Sequence, residues 1–192
     1  REDGGTPGFL QGMRAAMAIE VKEQMDTQKI AEREQELVQK AFEGFRRIEG
    51  LHILADNVKD RLGIFSFWFQ DIHFNLIVKL LNDRYGIQVR GGCACAGTYG
   101  HFLLNVSHEE SKRITSKIMS GDLSEKPGFV RVSLHPTMTD EELSFIINAV
   151  KEISENHKEW AKDYTYDTHH NEFRNKNEFD KNNTVKGWFS FE

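Results

Sequence analysis

The chain has 192 residues, with 25 Lys+Arg against 30 Asp+Glu, a formal net charge of −5 and 39% hydrophobic residues. The acidic balance excludes a general nucleic-acid binder, which needs a positive field to release counterions, and no apolar run approaches the ~20 residues that span a bilayer. The 15 Gly, 3 Pro and 14 Phe exclude collagen, a coiled coil and full disorder.

Gly4-Gly5-Thr6-Pro7-Gly8 reads as a turn opening a helix, with Thr6 as N-cap and Pro7 at the first helical position. Phe9, Met13, Ala16, Met17 and Val21 then recur at helical spacing to about Met25. Asp26-Thr27 offers a fresh cap for a second helix, marked by Ile30, Leu37, Val38, Ala41, Phe42, Phe45 and Ile48, which ends at Gly50. Each helix needs a partner surface larger than the other provides.

The texture changes after Gly50. Leu51–Leu54 is a short strand candidate, and Ile64–Phe69 a stronger one, apolar on both faces and so internal in its sheet. Phe74 to Tyr85 is helical, and Gly86 stops it. Ile87–Arg90 reads as a strand leading into the small-residue loop from Gly91 to Gly97. Ser107 with Glu110 forms a capping box for a helix reaching Gly121, and Thr139 with Glu142 a second one for a helix through Ile153. Between them, Phe129–Leu134 is a strand with Val130, Val132 and Leu134 on one face and Arg131 and Ser133 on the other. The expectation is an α+β fold in three parts. Residues 1–50 form a helical lead-in, residues 51–157 a compact domain with a short sheet covered by helices, and residues 158–192 a polar tail with an apolar end at Val185–Phe191. The opening Arg1-Glu2-Asp3, without Met, reads as a cut through a longer protein.

Few residues carry chemistry. Cys93 and Cys95, the only cysteines, are one residue apart and cannot build the disulfide framework of a secreted fold. With no signal peptide at the start, the expected setting is reducing and cytoplasmic. A Gly/Ala loop after a strand can carry a thiol to a cleft, and Arg90 favours its thiolate form. The same two residues also suit a small buried pair, or, with His101 or His108, a metal set of weak spacing. Arg131, on a strand with apolar alternates, suits bidentate capture of a carboxylate, or else a surface ion pair. Gly5-Thr6-Pro7 suits a phosphate at a helix N-terminus, or simply a helix start. His52, His73, His135 and His157 read as structural.

In order, the runs GGTPGFLQGMRAAMAIE, HILADNVKDRLGIFSFWF, YGIQVRGGCACAG and GFVRVSLHPTMTDEEL resemble the C-terminal portion of class V aminotransferase-fold enzymes. Within that family the cysteine desulfurases and selenocysteine lyases are the branch most resembled. The resemblance covers residues 1 to about 157. It implies the small C-terminal domain of a fold type I, pyridoxal 5′-phosphate-dependent homodimer acting on an amino-acid substrate, with a sulfur-acceptor protein as a further partner. It implies no nucleic acid, membrane or metal.

Site by site, the resemblance implies that Gly5 and Thr6 hold the cofactor phosphate of the neighbouring subunit and that Arg131 holds the substrate carboxylate. Arg90 lines the same pocket, and Cys95, five residues beyond Arg90, is the reactive thiol that attacks the substrate sulfur. Three departures stand out: Gly92-Cys93-Ala94 replaces histidines common before the cysteine, a helix at about 107–121 is inserted, and the Schiff-base lysine of the family lies upstream of all these residues. Lys158 sits in the wrong place to replace it, so the chain alone is expected to be inactive. The alternatives are a class V aminotransferase without a catalytic cysteine, or a non-catalytic sulfur-carrier or metal-binding module.

Overall fold

The computed structural model describes residues 4–93 and 97–177. Helix α1 (Phe9–Gln24) has no buried residue, and its apolar side chains, Phe9, Leu10, Met13, Met17, Ile19 and Val21, are all more than half exposed. Its N-cap is Gly8, with no side-chain hydrogen bond. The expected Thr6 cap is therefore corrected: the first helical residue is Phe9, and Pro7 lies ahead of it. Helix α2 (Thr27–Phe45) is strongly two-sided and buries Leu37, Val38, Ala41, Phe42 and Phe45. Its N-cap Asp26 accepts hydrogen bonds from the Gln28 and Lys29 N–H groups at 3.1 and 3.4 Å.

Strands β1 (Leu51–Ile53), β2 (Ile64–Phe69), β3 (Arg90–Gly92) and β4 (Phe129–Ser133) form one antiparallel sheet in the order β1-β2-β4-β3. Phe65 pairs with Val132 and Phe67 with Val130, so alternation sends these four to one face. There they meet α2, α3 (Phe74–Tyr85) and α6 (Asp140–Trp160) in a core where the Phe45 ring lies 5.6 Å from both Phe65 and Phe67. The opposite face of β2 carries Ile64, Ser66 and Trp68, exposed or half-buried. β2 is thus internal as expected, but only one of its faces belongs to the core.

Both ends of α3 follow the sequence. Gly86 is left-handed at φ +66°, and the Ile87 N–H bonds back to the Leu81 carbonyl at 3.0 Å. The strand expected at Ile87–Arg90 begins three residues later, at Arg90. Ile87 and Val89 pack on the core as irregular chain, and pairing starts only where Arg131, Val130 and Phe129 come opposite. Gly91 is needed there, since a Cβ would stand 2.8 Å from Val78 Cγ2 and 3.1 Å from the Phe74 ring. Helix α4 (Gly97–Leu103) was not expected from sequence, whereas α5 (His108–Met119) and α6 have the expected caps, Ser107 and Thr139. Among the described residues no helix is long and apolar enough to cross a membrane.

The polar tail expected from residue 158 is corrected for the described residues, which end at 177. Residues 164–175 form a hairpin of β5 (Tyr164–Asp167) and β6 (Glu172–Asn175) on α3, while Val185–Phe191 lie outside the described residues. Tyr164 is buried and its hydroxyl donates to Asp83 at 3.0 Å. Tyr166 and Phe173 close over His73, their ring centroids 5.2 and 5.4 Å from it.

His73 is the N-cap of α3: its Nδ1 accepts from the Asn75 N–H at 3.1 Å. Burial pushes its pKa down to about 4 from 6.5. Between those values the unfolded chain binds a proton that the folded chain refuses, so stability is full above the window and falls as pH is lowered through it. Solvent screening of the partly exposed ring holds the loss to about 1–2 kcal/mol. Urea midpoints at about pH 7 and pH 4.5 check this: His73→Asn, which keeps a capping acceptor, is expected to flatten the difference. An undiminished pH dependence in that variant would assign the effect to other groups.

Candidate functional site

The sheet face turned away from the core carries Arg90 and Arg131. Arg131 pairs in register with Ser66 on β2 and with Arg90 on β3, which sets two guanidinium stems side by side on neighbouring strands. Like charges directly opposite are unfavourable in an antiparallel pair. Arg131 is half-buried, and its Nε is buried with no hydrogen-bond partner. An unsatisfied buried N–H of this kind costs about 1–3 kcal/mol, and a carboxylate would satisfy it. Along the same face the His52 and Trp68 rings stack at 4.6 Å. Beside Ser66 lies an apolar hollow of about 360 Å³, walled by Val58, Leu62, Ile64, Tyr99 and Leu103.

β3 leaves the sheet through Gly92, at φ +116°, directly into the cysteine loop. The Cys93 thiol is half-buried and donates to the Pro127 carbonyl at 3.0 Å, two residues before β4. Gly100 of α4 is buried against it; a Cβ there would lie 3.5 Å from Cys93 Cβ. Cys93 is thus tied through its thiol to the chain just ahead of β4. Cys95 lies outside the described residues.

The arginine pair is therefore brought together, with Cys93 three residues further on. Gly5 and Thr6 are not part of this cluster: they stand in an exposed turn ahead of α1. His101, weighed as a metal partner, has its Nδ1 2.9 Å from the Ser111 hydroxyl and ties α4 to α5. Among the described residues no three His, Cys, Asp or Glu side chains stand together as metal ligands. Sequence reasoning missed Ser66, Trp68 and α4. Ser66, the one polar side chain in an otherwise apolar strand, was the available signal.

A larger hollow, about 520 Å³, lies between α2 and the 59–61 segment. Arg46, Lys59 and Arg61 surround the Phe42 ring there at 4.2–5.3 Å. Each of the three donates to a carbonyl of residues 54–58, and Arg46 also pairs with Asp56. They hold that loop against α2.

The family model described as Aminotransferase class-V matches residues 1–146. A probable cysteine desulfurase of Staphylococcus aureus is 29% identical over 153 residues, covering 80% of this chain and 32% of that protein. A probable cysteine desulfurase of Staphylococcus epidermidis is 33% identical over 94 residues, covering 49% of this chain and 22% of that protein. In structure the chain is similar to a cysteine desulfurase from Thermococcus onnurineus NA1, with TM-score 0.58 and 23% identity over 80% of this chain and 33% of that one. The cysteine desulfurase CsdA of Escherichia coli gives TM-score 0.54 and 19% identity over 80% and 32%. The chain thus spans about a third of the length of the relatives it matches.

Proposed function

Because the chain belongs to the class V aminotransferase family and is cysteine desulfurase-like in sequence and fold, we propose that it is the cysteine-bearing C-terminal portion of a pyridoxal 5′-phosphate-dependent cysteine desulfurase or selenocysteine lyase. The observation that carries this reading is the buried, unpartnered Nε of Arg131 in register with Arg90, on strands flanking the cysteine loop. Arg131 binds the α-carboxylate of L-cysteine or L-selenocysteine through its rigid fork. Arg90 adds positive potential over the same face and favours thiolate in the loop that follows. Cys95 is the thiol that takes up the substrate sulfur.

The residues ahead of α1 fit the cofactor phosphate. Gly5 and Thr6 are exposed, a Cβ on Gly5 would meet nothing within 4 Å, and the helix beyond has no side-chain cap. The Phe9 N–H is taken by the Pro7 carbonyl at 2.9 Å, and the N–H groups of the turn that follows it can meet an anion. The cofactor, when bound, supplies an electron sink for the substrate amino acid. The exposed apolar side chains of α1 and Gly5-Thr6 belong against a second protein surface, which we assign to the partner subunit of a cytoplasmic homodimer. A sulfur-acceptor protein would then collect the product from Cys95.

The test is product analysis. The holoenzyme containing these residues, given L-cysteine and a thiol reductant, is expected to release sulfide and alanine in equal amounts. The 192 residues alone, lacking the upstream Schiff-base lysine that the family resemblance implies, are expected to release neither. Amino transfer to a keto acid without sulfide would overturn the desulfurase reading in favour of an aminotransferase.

A further inference from the structure

The β5–β6 hairpin lies beyond the residues that the family model matches, yet it reaches the cysteine loop by two routes. The first is a stack of rings. Tyr166 and Phe173, 4.6 Å apart, cover His73, which stacks on Phe74 at 4.6 Å. Phe74 in turn lies against two glycines at the base of the loop. A Cβ on Gly91 would come within 3.1 Å of its ring, and one on Gly128 within 2.5 Å. The second route is the hairpin turn. The Leu123 N–H donates to the Thr168 carbonyl at 2.9 Å, and a Cβ on Gly121 would stand 3.3 Å from the His169 ring. From Leu123 the chain runs four residues to Pro127, whose carbonyl grips the Cys93 thiol. On the way Glu125 is paired with Arg113 and Lys117 of α5.

We propose that the β5–β6 hairpin is a positioning element for Gly91–Cys93, the chain that enters the cysteine loop, its Tyr166 and Phe173 rings clamping Phe74 onto Gly91 and Gly128 while its turn pins Gly121–Leu123. The strand that enters the loop and the segment that holds Cys93 are then fixed from one side by residues distant in sequence. Glycine at 91 and 128 allows Phe74 to approach so closely, and interiors packed to this density transmit a displaced ring to its neighbours. The neutral state of His73, favoured by burial, suits a ring sandwiched between aromatics. The catalytic meaning rests on reading this loop as the sulfur-accepting one. The structural claim does not.

The experiment uses Cys93 as reporter. In a Cys95→Ser background, the iodoacetamide alkylation rate of Cys93 is measured in the 192-residue chain across low urea concentrations. With Tyr166→Ala and Phe173→Ala together, the rate is expected to rise about tenfold or more and to depend weakly on urea, because the opening is local. Tyr166→Phe, which keeps the ring, is expected to restore the parental rate. Should the double variant lose the parental circular dichroism, Phe173→Ala alone carries the test, with a rise of about threefold. An unchanged rate, or a rise with the urea slope of global unfolding, would overturn the proposal. In the holoenzyme the double variant is expected to lower kcat several-fold with KM for L-cysteine unchanged, since Arg131 is paired between β2 and β3. A KM that rises in step with the loss of kcat would also overturn it. Alkylation needs no turnover, so an inactive or differently active holoenzyme would count against the desulfurase reading and leave the labelling result standing.

Discussion

Cys95→Ser in the holoenzyme is expected to lower sulfide release from L-cysteine by more than about 10³-fold, because a hydroxyl cannot hold the transferred sulfur. Cofactor absorbance is expected to stay at the parental level, since the thiol acts on sulfur and not on the phosphate or the ring. Cys93→Ser is expected to cost little. The thiol of Cys93 is engaged as a donor to the Pro127 carbonyl, and a serine hydroxyl can make the same bond. Cys93→Val, which cannot, is expected to lose about 0.5–1.5 kcal/mol of stability. Sulfide assays on the two serine variants decide the assignment. Equal loss in both would imply a cooperating pair, and loss only in Cys93→Ser would transfer the role to that sulfur.

The second large effect is expected at Arg131. Arg131→Leu removes the carboxylate fork and is expected to lower kcat/KM about 10²-fold, mostly through KM. Arg131→Lys is expected to recover only part, because an ammonium cannot reproduce the two parallel bonds. Stability moves in the other direction. The substitution removes a buried N–H without a partner and a like charge opposite Arg90, so the leucine variant should unfold at the same or a higher urea concentration. A leucine variant that is less stable and keeps its kcat/KM would make Arg131 a structural residue.

The parts of the fold legible in the sequence are those governed by local rules. Helices α3, α5 and α6 announce themselves through Gly86, Ser107 and the Thr139–Glu142 capping box, in which both reciprocal bonds form. The apolar run Ile64–Phe69 places β2. What escaped was set by long-range contact. The start of β3 depends on where β4 lies opposite it, not on the alternating Ile87-Gln88-Val89. The hairpin depends on α3 beneath it. Its signal, Tyr164 and Tyr166 alternating and Phe173 across a turn at Asn171 with φ +54°, was hidden in a stretch whose composition is polar.

At the site, the sequence named Arg90, Arg131 and the cysteines, but it could not show that the arginines are register partners. That fact comes from β3 and β4 pairing antiparallel across some forty residues of chain. Cys93 has a carbonyl partner and a buried glycine against it.

The central claim is that substrate sulfur passes to Cys95, and locating that sulfur tests it most directly. The holoenzyme is incubated with L-cysteine without reductant, alkylated to trap persulfides, digested, and the peptide spanning Gly91 to Lys112 is fragmented by mass spectrometry. The account predicts the mass of one added sulfur atom on Cys95 and no added sulfur on Cys93. Added sulfur on Cys93 alone, or on neither cysteine while sulfide is released, would contradict it.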